Sequence, residues 1–213
     1  LKGYVPAEKF RPVVTRGVVN EYLDLLARQQ NLSNTFESLN IGLPDSTVVQ
    51  GPNRVIAPET MRAVVTATRQ GRQLRASYAS LSRPEAVESI LEPHTLVCAG
   101  NSWHLRAWCD SNREFRDFAL SRFRTSPEAL RQRARHSRDQ DEHWNREVTL
   151  VVTPDRRLTE AQQQIIARDY GMEHGRLEVA TRAALAPYVL SRLGITFDNQ
   201  HPDPLVQQLE LAN

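Results

Sequence analysis

The spacing of apolar positions changes twice along the chain, and the changes divide it. Val18, Tyr22, Leu25 and Leu26 stand at helical spacing behind Thr15, a candidate cap, so residues 12–30 predict a helix. Residues 31–58 are rich in Asn, Ser, Gly and Pro and predict a linker with one short strand in STVVQ. APETMRAVVTATRQG predicts a second helix: Pro58 and Glu59 suit a first turn, Val64, Val65 and Thr68 make a buried stripe, and Gly71 suits the carboxyl-terminal cap. From Arg72 the period falls from about 3.6 residues to about 2. QLRASYAS, VESILEP, TLVCAG, WHLRAWC and FRDFALSRF alternate apolar with polar, with SRPE, AGNS and CDSNRE as breaks. They predict five short antiparallel strands in a small bent sheet or barrel of the SH3 or Sm kind.

Past the strands, SPEALRQRARHSRDQDEHW predicts a helix followed by an exposed linker, with Trp144 anchoring that linker to a second module. REVTLVVTP then reads as a strand, LTEAQQQIIARDYG as a helix ending at Gly171, GRLEVAT as a strand and RAALAPYVLSRLG as a helix ending at Gly194. That order predicts a small α/β module. The tail HPDPLVQQLELAN carries two prolines and a short apolar run, and either docks or frays. The whole is an α+β chain: a helical linker over 1–58, a small barrel domain over 59–135 and an α/β extension over 145–213.

Charge sharpens this division. The net charge is only +2, but residues 61–135 hold 13 arginines against 7 acids, while the remainder holds 14 basic and 18 acidic residues. The barrel region is therefore the electropositive part. Apart from Lys2 and Lys9 every basic residue is arginine, which grips carboxylate or phosphate bidentately; a GC-rich genome would leave the same preference. The run RQRARHSR suits either phosphate contact or a solvated helix face. No apolar run approaches the roughly 20 residues that span a bilayer, so no membrane partner is expected. Cys98 and Cys109 form no CxxC pair, and a reducing cytoplasm with both thiols in the core is expected. Leu1 in place of methionine and the opening LKGYVPAEKFRP suggest a chain entered in mid-course.

The candidate chemistry lies in WHLRAWC and FRDFALSRF. Strand alternation puts Trp103, Leu105, Ala107 and Cys109 on a core face and presents His104, Arg106 and Trp108 on the other. Arg116 and Arg122 share a parity on the next strand but stand roughly 20 Å apart at about 3.3 Å per residue, unless the strand bends sharply. Arg106 and Arg116, with His104 and the hydroxyls of Ser77 and Tyr78, could hold an anion. The competing reading pairs Arg116 with Asp117 or Glu114 and packs Arg122 over an aromatic ring. Catalysis is disfavoured, because Cys109 and His104 have opposite parity and no HExxH, GxSxG, GxGxxG or paired CxxC occurs. No cofactor and no metal site is expected.

Ser77-Tyr78, Pro93, Trp103-His104-Leu105, Phe115-Arg116-Asp117-Phe118 and Ser121-Arg122-Phe123 occur in the order of the WYL domain of bacterial transcriptional regulators, which the chain resembles over residues 60–125. It is most similar to the subgroup encoded beside phage-defence systems of the BREX and CBASS types. His104 replaces the tyrosine of the name-giving triplet and Phe123 the usual isoleucine or leucine. The histidine adds a group that titrates near neutral pH. The resemblance implies a Sm-like barrel that senses a ligand, with single-stranded DNA or oligonucleotides implied for several members. It implies pocket positions at Tyr78, His94, Trp103, His104, Arg106, Arg116 and Arg122, and a carboxyl-terminal extension that makes a homodimer. It also implies a winged helix-turn-helix, upstream of this chain, that reads operator DNA.

Three functions are weighed on this basis: the signal-receiving part of a repressor that binds an anionic effector such as a nucleotide or single-stranded nucleic acid; a constitutive nucleic-acid-binding module without a switch; and an enzyme. Salt dependence separates the first two readings where the effector is uncharged, since phosphate contacts weaken steeply with salt.

Overall fold

The structure is a computed structural model in which residues 49, 52, 54–100, 102–196 and 200–212 are described. The expected helix over 12–30 falls outside them, as does the strand in STVVQ apart from Val49. The chain divides into two compact units, Leu1–Pro52 and Asn53–Asn213, and every element below belongs to the second.

Helix α1 (Pro58–Gln70) starts with proline at its first turn, where the missing N–H would have no intrahelical partner in any case. Gly71 ends it in the left-handed region at φ 59°, its N–H reaching the carbonyls of Ala67 and Thr68. The buried stripe is Thr60, Val64 and Ala67, while Val65 and Thr68 lie half-buried at its margin.

Five strands follow: β1 (Arg72–Tyr78), β2 (Val87–Ala99), β3 (Ser102–Cys109), β4 (Glu114–Ala119) and β5 (Glu128–Arg133). They form one antiparallel sheet in the order β4-β3-β2-β1-β5. Three expectations change here. VESILEP and TLVCAG are one strand, because Pro93 opposes Ala107 and Thr95 opposes Arg106, leaving His94 as an extra, bulged residue. A bulge is where a strand tolerates proline's missing donor. FRDFALSRF stops being a strand at Ala119; Leu120–Arg122 is a 3-10 turn, and Phe123 makes an isolated bridge to Tyr78. The helix expected in EALRQRAR is instead β5, which satisfies the free edge of β1 by pairing Arg75 with Glu128, Leu74 with Ala129 and Arg72 with Arg133. A ladder of tertiary origin overrides helix propensity here. No ladder joins β4 to β5 among the described residues, so the sheet is open and the expected closed barrel is not seen.

The core lies between α1 and the sheet: Val64 and Ala67 meet Leu74, Leu91, Leu105, Ala107, Cys109, Phe118 and Leu120. Each fully buried leucine contributes about 1.5–3 kcal/mol. Two expected core residues are outside it. Trp103 is 43% exposed and pairs with Cys98, also exposed, because the β2–β3 hairpin runs past the part of the sheet that packs.

A 3-10 turn (Arg138–Gln140) and α2 (Glu142–Asn145) lead to β6 (Glu147–Pro154), α3 (Glu160–Asp169), β7 (Leu177–Arg182), α4 (Ala186–Arg192) and β8 (Leu209–Leu211). The strands make a second antiparallel sheet, β7-β6-β8. Thr159 and Gln162 form a reciprocal capping box at the start of α3. The tail does not fray: β8 pairs with β6, and Leu209 enters a core with Val152, Leu158, Ile166, Leu190 and Ile195. Arg157 holds the approach to β8, donating to the carbonyls of His201 and Pro202 while gripping buried Asp155 at 2.7 Å.

Candidate functional site

A cavity of about 710 Å³ opens where the end of β1, the loop into β2, the β3–β4 turn and β4 converge. Its size falls within the range of about 300–1,000 Å³ typical of small-molecule sites. The sharp turn after Ala119 brings Arg122 back toward β1, so Arg116 and Arg122 line the same cavity instead of standing at opposite ends of a straight strand. Arg83 joins them from the loop, with the hydroxyls of Tyr78, Ser80, Ser82, Ser89 and Ser111 around the wall and Phe115 and Phe118 among its apolar surfaces.

The local charges do not cancel. Arg116 is held at 3.1 Å by Glu114, both half exposed, a pairing the sequence left open. Arg106, although it reaches the cavity, is 6% exposed and already bonded through each of its three nitrogens. Its Nε donates to Asp141 Oδ2 at 2.7 Å, its Nη2 to Asp141 Oδ1 at 3.0 Å and its Nη1 to Asp117 Oδ1 at 3.4 Å. Arg106 is therefore not a presented anion ligand, as its strand parity had suggested, but part of the wall. Arg83 and Arg122 form no ion pair among the described residues, and they supply the uncompensated positive charge.

Behind the cavity wall lies a buried network. Asp141 is 1% exposed and also accepts from the backbone N–H of Trp144 and bonds the Nε2 of His94 at 3.1 Å. Burial alone would raise the Asp141 carboxyl, but the bonds from Arg106 and Trp144 outweigh it and hold the group below the usual carboxylate range. Burial likewise drives His94 below an ordinary histidine, against the pull of Asp141, so it is held neutral. The bulge in β2 aims His94 at this network, its ring 5.5 Å from that of Trp144 and 5.6 Å from that of Phe115. Asp117 carries the network onward, accepting at 3.0 Å from the hydroxyl of Tyr188 on α4. Burial and the Asp117 charge hold that phenol above its ordinary range, as a donor.

The remaining sequence-predicted residues are dispersed. Tyr78 stacks edge-on against Phe118 and Phe123, and its hydroxyl accepts from the Ala119 N–H. Ser77 is buried beneath it at 9% exposure, outside the cavity lining. His104 is not among the lining residues, its Nε2 bonded to Ser102 Oγ at 2.8 Å and its ring 5.1 Å from Tyr188; burial holds it below its ordinary range. Trp103 and His94 also lie outside the lining. Arg83, Ser82 and Ser111 escape the sequence reading because SRPE and CDSNRE read only as turns; the available signal is that both turns close at the same end of the sheet. The cysteine–histidine pairing does not form, since Cys109 Sγ contacts Asn112 Oδ1 instead.

Glu92, Asp110 and His136 bring potential ligand atoms within 4.8 Å of one another. Fully buried Glu92, however, already accepts from Gln73 Nε2, the N–H groups of Arg135 and His136, and His136 Nδ1. Glu92 and His136 thus make a clasp that fastens the segment after β5, with His136 stacked 3.9 Å from the Trp108 ring, while Asp110 accepts from Trp108 Nε1.

Residues 59–126 match the WYL domain, and residues 147–213 match the BrxR transcriptional regulator, C-terminal dimerization domain. The DNA-binding transcriptional repressor CapW of Pseudomonas aeruginosa is 35% identical over 212 residues, covering 99% of this chain and 70% of its own. CapW of Stenotrophomonas maltophilia is 34% identical over 193 residues, 90% of this chain and 64% of the repressor, so the chain spans under two thirds of that relative. Among solved structures, proteasome accessory factor B/C (PafBC) of Arthrobacter aurescens aligns with 76% of this chain and 26% of its own at 22% identity, with a TM-score of 0.34. On the strength of the Pseudomonas match and the two domains, the chain belongs to the WYL-domain family of transcriptional regulators that includes the CapW repressors.

Proposed function

We propose that this chain is the effector-sensing and dimerisation part of a DNA-binding transcriptional repressor of the cytoplasm, acting without catalysis. The proposed division is a linker over 1–58, a sensing domain over 59–135 and a dimerisation extension over 145–213. Operator DNA is read by a winged helix-turn-helix outside this chain, and two copies pair through their extensions.

The observation that carries the sensing role is the cavity with two uncompensated arginines, Arg83 and Arg122, a third, Arg116, tied only to half-exposed Glu114, and a wall of hydroxyls. Such donors fit an anionic effector with phosphate and sugar groups: a nucleotide or a short single-stranded nucleic acid. Phe115 and Phe118 offer a base an apolar surface. An effector shifts the repressor only if it binds two states with different affinity. Asp117 provides the coupling, since it lines the cavity and is also held by Tyr188 of the extension.

The test is to purify the chain from cells under conditions that preserve complexes and identify what travels with it by mass spectrometry, then titrate mononucleotides and oligonucleotides calorimetrically. A charge-assisted hydrogen bond is worth about 1.5–3 kcal/mol, so Arg83→Ala and Arg122→Ala should each weaken binding roughly 10- to 150-fold. If no nucleotide or oligonucleotide binds wild type, or both variants bind as wild type does, the anion-sensing reading fails.

A further inference from the structure

Of the run RQRARHSR, His136 joins the Glu92 clasp and Arg138 lies over the Trp144 ring, but Arg131, Arg133 and Arg135 belong neither to the cavity lining nor to the charge network behind it. The run was expected on a helix face, but most of it lies on or just beyond β5, an edge strand. Here Arg133 directly opposes Arg72 across the β1–β5 ladder, and the N–H of Ala134 bonds the carbonyl of Gly71. Arg69, in the last turn of α1, stands two residues before that glycine. Arg131, Arg133 and Arg135 are all exposed. None of the five arginines has an ion-pair partner among the described residues, in contrast to Arg62, Arg75, Arg106, Arg116 and Arg157. Like charges directly opposite one another weaken a ladder. Charges on an edge strand guard it against strand addition, but Arg72 lies on the inner strand β1.

We propose that this strip is a second binding surface, for the phosphate backbone of duplex DNA. The chemistry selects that partner over two others. A single strand is held on aromatic platforms, and neither residues 69–75 nor residues 128–135 contain an aromatic side chain. A protein interface has an apolar, desolvated centre depleted in charge, the opposite of this composition. Phosphate contacts need only arginine donors, and they orient a protein on a duplex without reading sequence. The strip is also separate from the cavity. It sits at the Arg72 end of β1 whereas the cavity takes Ala76 and Tyr78 toward the other end, about 13 and 20 Å away at about 3.3 Å per residue.

The experiment is fluorescence anisotropy of the whole chain with a mixed-sequence duplex of about 30 base pairs across a salt series, comparing wild type with Arg131→Gln/Arg133→Gln/Arg135→Gln. Each phosphate contact contributes about 0.9 to the slope of log affinity against log salt, so the triple variant should lose about 2–3 from that slope and at least about tenfold in affinity at low salt. Thermal unfolding checks that it still folds; if it does not, the exposed pair Arg69→Gln/Arg131→Gln should lose about 2 from the slope. The proposal is overturned if wild type fails to bind duplex at low salt, if a folded variant keeps the wild-type slope, or if a single strand of the same length binds more tightly and loses as much on substitution.

Discussion

Replacing Asp141 with alanine removes the main counter-charge of a guanidinium whose side chain is 7% exposed, and leaves it only Asp117 at 3.4 Å. Breaking a buried ion pair on one side costs about 3–5 kcal/mol, because the surviving charge stays desolvated without its partner. Asp141 also caps α2 through the Trp144 N–H, and loss of such a cap adds about 1 kcal/mol. The sum is a large part of the roughly 5–15 kcal/mol that holds a typical domain together. Urea unfolding followed by tryptophan fluorescence reads it out, with buried Trp144 beside the lesion as a reporter. Asp141→Asn keeps an acceptor for the Trp144 N–H and isolates the charge. The discriminating variant is Arg106→Met with Asp141→Leu, which removes both charges and should cost less than Asp141→Ala alone. Costs that add, or an Asp141→Ala penalty below about 1 kcal/mol, would refute the claim that this pair is desolvated and mutually dependent.

Two further outcomes arise from the same network. His94 and His104 are held neutral by burial, so the unfolded chain takes up protons first as pH falls through about 6.5. Stability should therefore be full above that pH and decline below it, with a further decline below about pH 4 as the depressed carboxyls of Asp141 and Glu92 protonate; His94→Gln should flatten the upper step in urea midpoints measured against pH. Tyr188→Phe removes one donor to a charged acceptor and should cost about 1.5–3 kcal/mol, and a change below about 0.5 kcal/mol would mean that α4 and β4 are not coupled through this bond.

What the sequence revealed and what it concealed differ by the range of the interaction. Pro58 and Gly71 bracket α1 through local rules, and the period-2 alternation locates β1, β3 and the start of β4 because a pleat writes itself into adjacent residues. EALRQRAR was misread because its helix propensity is local, whereas its reason for being a strand is the open edge of β1, more than 50 residues away in the case of Arg75 and Glu128. Asp141 lay in DQDEHW, which looks like solvated linker; that it is buried depends on Arg106, 35 residues earlier. Trp103 shows the converse error: parity assigns it to the core face with Leu105, but the hairpin leaves the packed part of the sheet before reaching it.

The sequence left open whether Arg106 and Arg116 together hold an anion or Arg116 pairs with an acid, and their fates show why charge alone does not define a site. Across the β3–β4 ladder Arg106 opposes Asp117 and Ala107 opposes Arg116, so neighbouring rungs carry the two cations. The cation over which the connecting segment folds acquires Asp141 and becomes structure. The other keeps only Glu114, an exposed partner whose pairing is worth roughly 0–1 kcal/mol and which an incoming phosphate can therefore displace. β4 thus carries a replaceable contact at Arg116 next to a fixed one at Asp117, and an occupant that draws Arg116 toward itself pulls on a strand whose next residue is bonded to Tyr188.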